Sequence, residues 1–418
     1  MVEILIFLEM AVGVTSNTCS TVSSISLVPQ DKIRFRCTTD YSGDFIKRLY
    51  HADNLDVLNS LIKDERVCGK IDLIYIDPPY NTGGAFETRE QKHAYNDNFT
   101  TEGYTKFMEV RLGLMHKLLS PSGSIYVHLD SNMVFHIKIL MDSIFGEKNF
   151  RGMITRKKCK SKNFTRTTYG NISDYILFYT KSDSAKWNRP YEQWDDEKIL
   201  KEYPFIEEGT GRRYKRVPCH APGTRNGATG GSWRGMMPPE GKHWQYTPDK
   251  LDEMDAKGEI YWSSNGNPRR KVYLDQSKGI AVQDIWLDFL DVNNQNTHLT
   301  GYPTEKNIDM LKRIINSSSN PGDIVLDCFA GSGTTLVAAE ELGRQWIGVD
   351  IGEEAIKIIQ NRFVNGTKPL GDYVSQRKNK KDIISQSLFD GLDSDNGDNT
   401  LDNNITKCNI QYQMFEEL

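Results

Sequence analysis

The chain has 418 residues, of which 38% are hydrophobic and 10% aromatic, and its formal net charge is −4. This length allows two or three domains with sizeable cores. The slight negative charge excludes a protein that is basic over its whole surface, so any nucleic-acid-binding charge must be local. Seven scattered cysteines without a C-x-x-C pair favour reduced thiols and an intracellular location, and they predict neither a disulfide framework nor a zinc site.

The amino-terminal part of the chain predicts no export and no membrane anchor. The first fourteen residues are apolar, but they contain Glu3 and Glu9 and lack a basic start, which argues against a secretory signal. No other window approaches the roughly 18 apolar residues of a membrane span. We expect residues 1–40 to form an extension.

The first regular elements are a strand at residues 47–53 and a helix at 54–62. Asp53 therefore lies at a strand-to-helix junction. Its carboxylate can cap the helix or bind a ligand, and both interpretations stay open.

A nearly continuous apolar run at residues 71–76 predicts a strand buried on both faces of a parallel sheet. The run stops at Asp77-Pro78-Pro79-Tyr80, where two prolines fix φ and remove two N–H donors. The resulting rigid turn carries a carboxylate, the free carbonyl of Pro78 and an aromatic ring. Ligands bind beyond such strand ends in open α/β sheets, so we predict a functional site here; an ordinary tight turn is the alternative.

Strands and helices then alternate, which is typical of a doubly wound sheet. Residues 182–300 lose this alternation, because prolines, glycines and tryptophans interrupt every long period. We interpret this stretch as a separate insert. The elements predicted before it are helices at 104–119 and 132–145 and strands at 124–130, 152–157 and 174–181, the last two as antiparallel neighbours.

The insert combines basic and aromatic residues. No acid interrupts the window from residue 212 to 234, and tryptophans and a tyrosine are interleaved with the basic residues. This composition is expected at a nucleic-acid-binding surface, while a solvated basic surface over core tryptophans is the alternative. The candidate DNA-binding residues are Arg212, Arg213, Lys215, Arg216, Arg225, Arg234, Arg269, Arg270 and Lys271.

A second candidate site follows the buried strand at residues 323–327. The turn after it contains Gly331 and Gly333, but neither the third glycine of a dinucleotide fingerprint nor the lysine of a P-loop, which disfavours a phosphate ligand. The helix that follows favours a carboxylate at its N-terminus, and Asp350, at the end of the next strand, can accept from two ribose hydroxyls. S-adenosylmethionine has a ribose and a carboxylate but no phosphate; a loop and an acid retained for packing are the alternative.

The Asp77 turn suits methylation of an exocyclic amino group. The amino nitrogen of adenine or cytosine is a poor nucleophile, because its lone pair is delocalised into the ring. A carboxylate and a carbonyl that accept its two hydrogens would draw it towards tetrahedral geometry, and Tyr80 would stack on the base. Most of the rate would come from positioning and fixed dipoles, and a base in a duplex would have to be flipped out.

The pair of motifs, with DPPY before FxGxG, resembles the β class of DNA amino-methyltransferases, which includes the modification subunits of type III restriction systems. DPPYNTG at residues 77–83 is a form common in that group. The resemblance spans residues 47–365 and implies an α/β fold, the doubly wound seven-stranded sheet of class I S-adenosylmethionine-dependent methyltransferases. It divides the chain into a catalytic half (41–181), a target-recognition insert (182–300) and a cofactor-binding half (301–365).

The resemblance also implies roles for single residues. Glu305 and Asn307 depart from the family's Pro-Thr-Gln-Lys-Pro turn, so only Thr304 and Lys306 are carried over from it. The implied catalytic residues are Asp77, Pro78, Pro79 and Tyr80. The implied cofactor-binding residues are Asp53 at the adenine, Asp350 at the ribose, Thr304 and Lys306 at the methionine end, and Asp327, Phe329, Gly331 and Gly333 along the cofactor.

We therefore expect an S-adenosylmethionine-dependent enzyme that flips and methylates adenine at N6 in a specific double-stranded DNA sequence. N4-cytosine methylation is the runner-up, because the turn does not separate the two amino groups. RNA or protein methylation and a catalytically inactive DNA-binding protein are weaker alternatives. By resemblance, a homodimer and a restriction subunit are further partners in the cytoplasm of a prokaryote. The polar composition beyond residue 365 predicts a disordered tail at 366–418.

Overall fold

The computed structural model describes residues 35–37, 43–79, 85–87, 93–96, 100–160, 167–291, 305–366 and 411–417. Its helices are α1 (Asn54–Ile62), α2 (Thr101–Leu118), α3 (Val134–Phe145), α4 (Asp196–Glu202), α5 (Pro248–Ala256), α6 (Ile308–Ser318), α7 (Thr334–Glu341) and α8 (Glu353–Asn365). None of the helices in these ranges has the length and apolarity that a bilayer crossing requires.

The strands fall into one large sheet and four small ones. Those of the large sheet are β1 (Phe35–Cys37), β2 (Lys47–His51), β3 (Ile71–Ile76), β6 (Leu119–Leu129), β7 (Phe150–Lys157), β8 (Ser173–Thr180), β17 (Ile285–Trp286), β18 (Ile324–Asp327), β19 (Gln345–Asp350) and β20 (Gln413–Glu417). The others are β4 (Ala85–Glu87), β5 (His93–Asn96), β9 (Tyr191–Glu192), β10 (Phe205–Ile206), β11 (Arg213–Pro218), β12 (His220–Pro222), β13 (Lys242–Trp244), β14 (Ile260–Trp262), β15 (Pro268–Tyr273) and β16 (Ile280–Ala281).

Seven strands form the centre of the large sheet in the order β2-β19-β18-β3-β6-β8-β7. Neighbours are parallel from β2 to β6, whereas β8 runs antiparallel to both β6 and β7. The predicted doubly wound α/β sheet is thereby confirmed, with residues 174–181 in the antiparallel strand. Three edge strands extend the sheet to ten: β1 and β20 lie beyond β2, and β17 lies beyond β7.

Strand β3 shows how helices cover both faces of this sheet. Ile74 and Ile76 belong to a core cluster with residues of α1, α2 and α3, while Leu73 and Tyr75 belong to a second cluster with residues of α6, α7 and α8. Successive side chains of a strand point to opposite faces. A continuous apolar run is therefore what a strand between two helical layers requires.

The prediction of a disordered tail is wrong for its last residues. Strand β20 pairs in parallel with β2, Met414 is buried, and Phe415 stacks on Tyr50 with ring centroids 4.6 Å apart. Burial of these apolar side chains stabilises an edge strand that the polar composition around it concealed. Residues 367–410 lie outside the described part of the chain.

The insert folds around a small core of its own, and it is narrower than the predicted 182–300. Its four-stranded antiparallel sheet has the order β10-β11-β15-β14. Near its predicted start, Trp187 stacks on Phe178 of β8, and near its predicted end β17 pairs with β7. Both ends therefore pack on the large sheet. The insert's own buried cluster consists of Cys219, Trp233, Trp244, Leu251, Met254 and Ile260.

Candidate active site

The four strand-end acids of the sequence analysis lie along one edge of the sheet. Strands β2, β19, β18 and β3 are parallel neighbours, so their carboxyl ends meet at the same edge. The acids follow the strand order as Asp53, Asp350, Asp327 and Asp77. The fold thus joins the two candidate sites, which are about 250 residues apart in sequence, into one site.

Asp77 lies beside a lysine from a distant part of the chain. Lys306 Nζ is 2.9 Å from Asp77 Oδ2, and the Asp77 side chain is 18% exposed, which leaves the carboxylate accessible. Pro78 is buried and Pro79 is half-buried. Tyr80 lies outside the described residues, so its stacking role stays a prediction. Lys306, which the resemblance placed at the cofactor's methionine end, contacts the predicted catalytic carboxylate here.

The turn between β18 and α7 needs both of its predicted glycines. Gly331 and Gly333 have φ values of 52° and 72°, in the left-handed region that favours glycine. A Cβ at Gly333 would lie 2.8 Å from Cγ1 of Ile359, so helix α8 packs directly against the turn. Phe329 extends from the same turn and packs on Phe107 of α2, with ring centroids 6.2 Å apart.

The buried Asp327 and the half-buried Asp350 have raised pKa values. Burial raises the pKa of Asp350 to about 6, although its Oδ1 accepts from the Gly352 N–H and its Oδ2 from the Gly331 N–H, each at 2.8 Å. Burial, with a smaller contribution from the nearby charges of Asp77 and Asp350, raises the pKa of Asp327 to about 7. Such carboxylates favour a ligand that brings positive charge or hydroxyl donors, because these groups replace the hydration that the charged form loses on burial.

Asp53 caps helix α1, as one of its two interpretations predicted. Its Oδ1 accepts from the Leu55 N–H at 2.7 Å and from Arg111 Nη2 at 3.0 Å. The Arg111 guanidinium also lies 3.6 Å from the ring centroid of Phe107. The Asp53 side chain is 43% exposed, so its predicted contact with the cofactor's adenine stays open as a prediction.

The two departures from the family's lysine-containing turn have local structural reasons. The buried Glu305 lies 3.2 Å from Arg362 of α8, which also donates to Thr334 Oγ1 at the start of α7. Asn307 caps helix α6 by accepting from the Asp309 N–H at 2.8 Å. Glu305 therefore ties the segment before Lys306 to the glycine turn. Thr304 lies outside the described residues.

The two basic windows of the insert lie together, because β11 and β15 are antiparallel neighbours with Arg216 opposite Lys271. The absence of acids from residues 212–234 nevertheless overstated the free charge, since the fold brings acids from other elements. Arg225 and Arg269 are exposed. The ion pairs are Arg212 with Asp275, Lys215 with Glu202, Lys271 with Glu207, and Arg234 with both Asp252 and Asp255.

The remaining basic candidates contact carbonyl oxygens and aromatic rings of the insert. Arg213 donates to the Tyr203 carbonyl, and Arg270 faces the Tyr246 ring. The Arg216 guanidinium lies 3.5 and 3.4 Å from the ring centroids of Phe205 and Tyr261. The predicted DNA contacts of all nine residues stay predictions.

Sequence patterns did not reveal the buried imidazole of His128 behind Asp77. His128 on β6 is fully buried, with Nε2 3.0 Å from Asp174 Oδ2 and Nδ1 3.9 Å from Asp77 Oδ1. The available signal was a histidine in the otherwise apolar run 124–129, since an unpaired polar side chain is rarely buried in a strand.

Comparison with known proteins agrees with this geometry. Residues 71–361 match the N6/N4 DNA methylase family. The chain is 50% identical over 369 residues to the type II methyltransferase M.EcaI of Enterobacter cloacae, covering 87% of this chain and 80% of the relative. It is 31% identical over 322 residues to the type II methyltransferase M.KpnI of Klebsiella pneumoniae, covering 70% and 76%.

Two further comparisons concern size and fold. The StyLTI Mod subunit, from a type III restriction-modification enzyme of Salmonella typhimurium, is 29% identical over 337 residues, and the match covers 70% of this chain but 50% of that subunit. Among solved structures, the PvuII DNA methyltransferase (cytosine-N4-specific) has a TM-score of 0.42 at 16% identity, covering 82% of this chain and 93% of that one.

The sheet order and the strand-end acids define a class I S-adenosylmethionine-dependent methyltransferase. Within that class, the chain belongs to the N6/N4 DNA methylase family, the DNA amino-methyltransferases that the sequence motifs indicated.

Proposed function

We propose that this chain methylates the N6 amino group of adenine in a specific sequence of double-stranded DNA. The observation that carries the proposal is the position of Asp77. Its partly accessible carboxylate ends the central strand β3, and Asp327 ends the neighbouring strand β18. A target amino group at Asp77 would therefore lie next to the part of the edge that suits the cofactor.

The residues at Asp327 and Asp350 fit S-adenosylmethionine. Its sulfonium and ammonium groups bring positive charge, and its ribose brings two hydroxyl donors, which match two carboxyl groups with raised pKa values. The glycines at 331 and 333 allow the left-handed turn in which the Gly331 N–H reaches Asp350 Oδ2. When bound, the cofactor supplies an electrophilic methyl group.

The Asp77 turn would hold the target base by its amino group. Asp77 and the Pro78 carbonyl are acceptors for the two amino hydrogens, and Tyr80 would stack on the ring. Lys306, at 2.9 Å, fixes the orientation of the Asp77 carboxylate through Oδ2. The cofactor would supply the methyl group to the amino nitrogen held by Asp77 and Pro78, and that nitrogen would release one proton to solvent. Positioning and fixed charges would provide most of the acceleration.

N4-cytosine methylation is the alternative within the same family, whose description covers both amino groups. Both bases present an amide-like amino group that a carboxylate and a carbonyl can hold. The preference for adenine rests on the family resemblance alone, because the Asp form of the turn is commoner in the adenine-methylating enzymes. In either case the base must leave the helix to reach the turn.

The insert is the proposed target-recognition region. Its exposed Arg225 and Arg269 are suited to phosphate contacts, and Arg216 is held rigidly between two rings. Because one relative named above is the Mod subunit of a type III restriction-modification enzyme, we propose the same setting for this chain, with a restriction subunit as its partner. The proposed homodimer rests on the family resemblance alone.

The experiment is transfer of labelled methyl from S-adenosylmethionine to mixed-sequence unmethylated DNA, followed by digestion to nucleosides and chromatography. Label in N6-methyladenine supports the proposal. Label in N4-methylcytosine supports the alternative. A chain that binds the cofactor but leaves DNA unlabelled would overturn both.

A further inference from the structure

A chain of buried polar side chains lies behind the Asp77 turn. His128 faces two groups through its Nδ1 edge, because Nδ1 is 2.8 Å from the Tyr75 hydroxyl and 3.9 Å from Asp77 Oδ1. Its Nε2 edge lies 3.0 Å from Asp174 Oδ2. The two edges of one imidazole thus connect the catalytic turn to a carboxylate on a different strand.

Asp174 is in turn held in place by Arg156 on β7. The guanidinium makes a bidentate contact, from Nε to Oδ1 at 2.8 Å and from Nη2 to Oδ2 at 2.5 Å. The paired charges hold the pKa of Asp174 well below its usual range, despite the opposing effect of burial. Asp174 therefore stays ionised behind the imidazole.

The outer end of this chain of contacts reaches the segment that returns from the insert. Arg156 Nη1 donates to the Phe289 carbonyl at 2.9 Å, and Nη2 donates to Asp291 Oδ1 at 2.7 Å. Arg156, Asp174 and His128 are each at most 1% exposed. Burial of two opposite charges and an imidazole is costly and contributes little net stability, which makes a purely structural role a weak explanation.

We propose that His128 is a positioning residue for methyl transfer. It acts through Asp77 and Tyr75, while Asp174 and Arg156 fix the imidazole from behind. Hydrogen-bonded to Tyr75 and 3.9 Å from Asp77 Oδ1, the imidazole forms the wall that keeps the Asp77 carboxylate in the orientation in which it accepts from the target amino group. This inference rests on the proposed role of Asp77 in the transfer.

The test compares His128→Leu, His128→Asn and a matched control by kcat, by KM for DNA and by the dissociation constant of S-adenosylmethionine. Asparagine keeps a polar group near the position of Nδ1, whereas leucine keeps only bulk. The control is Tyr126→Phe on the same strand, which removes a buried hydrogen bond to Ser318 that lies away from the turn. The full-length chain is used throughout.

We expect His128→Leu to lower kcat at least 100-fold, with the cofactor dissociation constant and KM within threefold of wild type, because a misplaced group costs rate rather than binding. His128→Asn should recover at least tenfold of that loss, and Tyr126→Phe should keep wild-type kcat. A folded His128→Leu with wild-type kcat would overturn the inference, as would a leucine and an asparagine variant that are equally slow.

Two further variants keep the test decisive. If His128→Leu does not fold, Tyr75→Phe replaces it in the test, because this variant removes only the hydroxyl that contacts His128 Nδ1. We expect Tyr75→Phe to lower kcat about tenfold. An unchanged kcat would reject the inference. Asp77→Ala, assayed in parallel, separates the two proposals. If it keeps wild-type activity, the proposed function fails, whereas an inactive Asp77→Ala beside a fully active His128→Leu rejects the positioning role by itself.

Discussion

The four acids along the sheet edge have different surroundings and therefore different chemistry. Asp53 is paired with Arg111 and Asp77 with Lys306, so a cation compensates each of these charges. Asp327 is buried and Asp350 half-buried, neither forms an ion pair among the described residues, and their pKa values are raised. The negative charges of Asp53 and Asp77 are thus already balanced by cations. Asp327 and Asp350 form the region that a cationic, hydroxyl-bearing ligand would stabilise.

The raised pKa of Asp350 predicts how cofactor binding depends on pH. The ionised carboxylate is the stronger acceptor for ribose hydroxyls, and below about pH 6 the group becomes neutral. We expect the dissociation constant of S-adenosylmethionine, measured by calorimetry, to rise as pH falls below 6, approaching tenfold per pH unit. Asp350→Asn should bind more weakly at pH 8.

The matched comparison is the pH dependence of the Asp350→Asn variant. Asp327, with its pKa raised to about 7, still titrates in that variant and accounts for any remaining slope. A carboxyl group with a raised pKa binds more protons in the folded state than in the unfolded state, so these two groups stabilise the folded chain as pH falls towards 4. Weaker binding below pH 6 would thus not reflect their effect on unfolding. Identical pH profiles for variant and wild type would contradict the role of Asp350.

At the residue scale, sequence patterns located the acids but not their partners. Asp53, Asp77, Asp327 and Asp350 follow from strand ends and turn residues, which are local features. The contact between Lys306 and Asp77 joins residues 229 positions apart, and it depends on how the chain returns after the insert. The ion pairs of the insert could not be predicted for the same reason, since each depends on a tertiary contact.

At the element scale, the backbone and packing of the glycine turn restrict which residue can occupy position 333. Gly333→Ala introduces a Cβ at a φ of 72°, 2.8 Å from Ile359. We expect a loss of about 2–4 kcal/mol in the free energy of unfolding, combining backbone strain with the clash. Urea unfolding measures it.

Gly343→Ala is the control for backbone strain. Its φ is 71°, but a Cβ there would have no atom within 4 Å. We expect it to cost about 1–2 kcal/mol, from strain alone. Equal losses in the two variants would show that the packing of α8 on the glycine turn does not restrict residue 333.

The stability contributed by strand β20 is the subject of a second prediction at this scale. Met414 is 2% exposed and belongs to the second core cluster. Met414→Ala should lower the free energy of unfolding by about 2–4 kcal/mol, because it leaves a cavity. Glu417→Ala, at an exposed position of the same strand, should change it by less than about 0.5 kcal/mol. A Met414→Ala variant as stable as wild type would show that β20 is not anchored in solution.

Strands with long apolar runs could be predicted, whereas short edge strands could not. The runs at β3, β18 and β19 have enough consecutive buried positions to identify them. Strand β20 has five residues with a single fully buried side chain, and β17 has two residues. Their pairing depends on a sheet edge that other parts of the chain create, so local composition carries little signal.

At the scale of the whole molecule, the insert should carry the electrostatic part of DNA binding. Arg225→Ala/Arg269→Ala removes two exposed charges of the insert. We expect weaker DNA binding, with the slope of log Kd against log salt reduced by about one for each lost phosphate contact. Titration of fluorescent DNA at several salt concentrations measures both quantities.

The control removes the same charge from two positions outside the insert. Lys63 and Lys148 are exposed near the amino ends of the strands, away from the acid-bearing edge. Lys63→Ala/Lys148→Ala should leave the salt slope nearly unchanged. Equal losses in both double variants would show that net charge, and not the insert surface, governs binding.

The order of the two motifs was enough to predict the family and the doubly wound sheet of the whole molecule. DPPY before FxGxG identified the family and its doubly wound sheet, which the match over residues 71–361 confirms. The boundaries of the insert were less accurate, because the composition changes at residue 182 while the chain still packs on the sheet through Trp187. Composition reports local backbone preference, whereas a boundary depends on tertiary packing.

Methyl transfer by Asp77→Ala, measured beside its affinity for S-adenosylmethionine, decides whether Asp77 is catalytic. We expect a loss of at least 1000-fold in kcat, with a cofactor dissociation constant within threefold of wild type, since the Asp77 carboxylate acts on the target amino group. Wild-type turnover, or an equal loss of turnover and cofactor binding, would contradict a catalytic role.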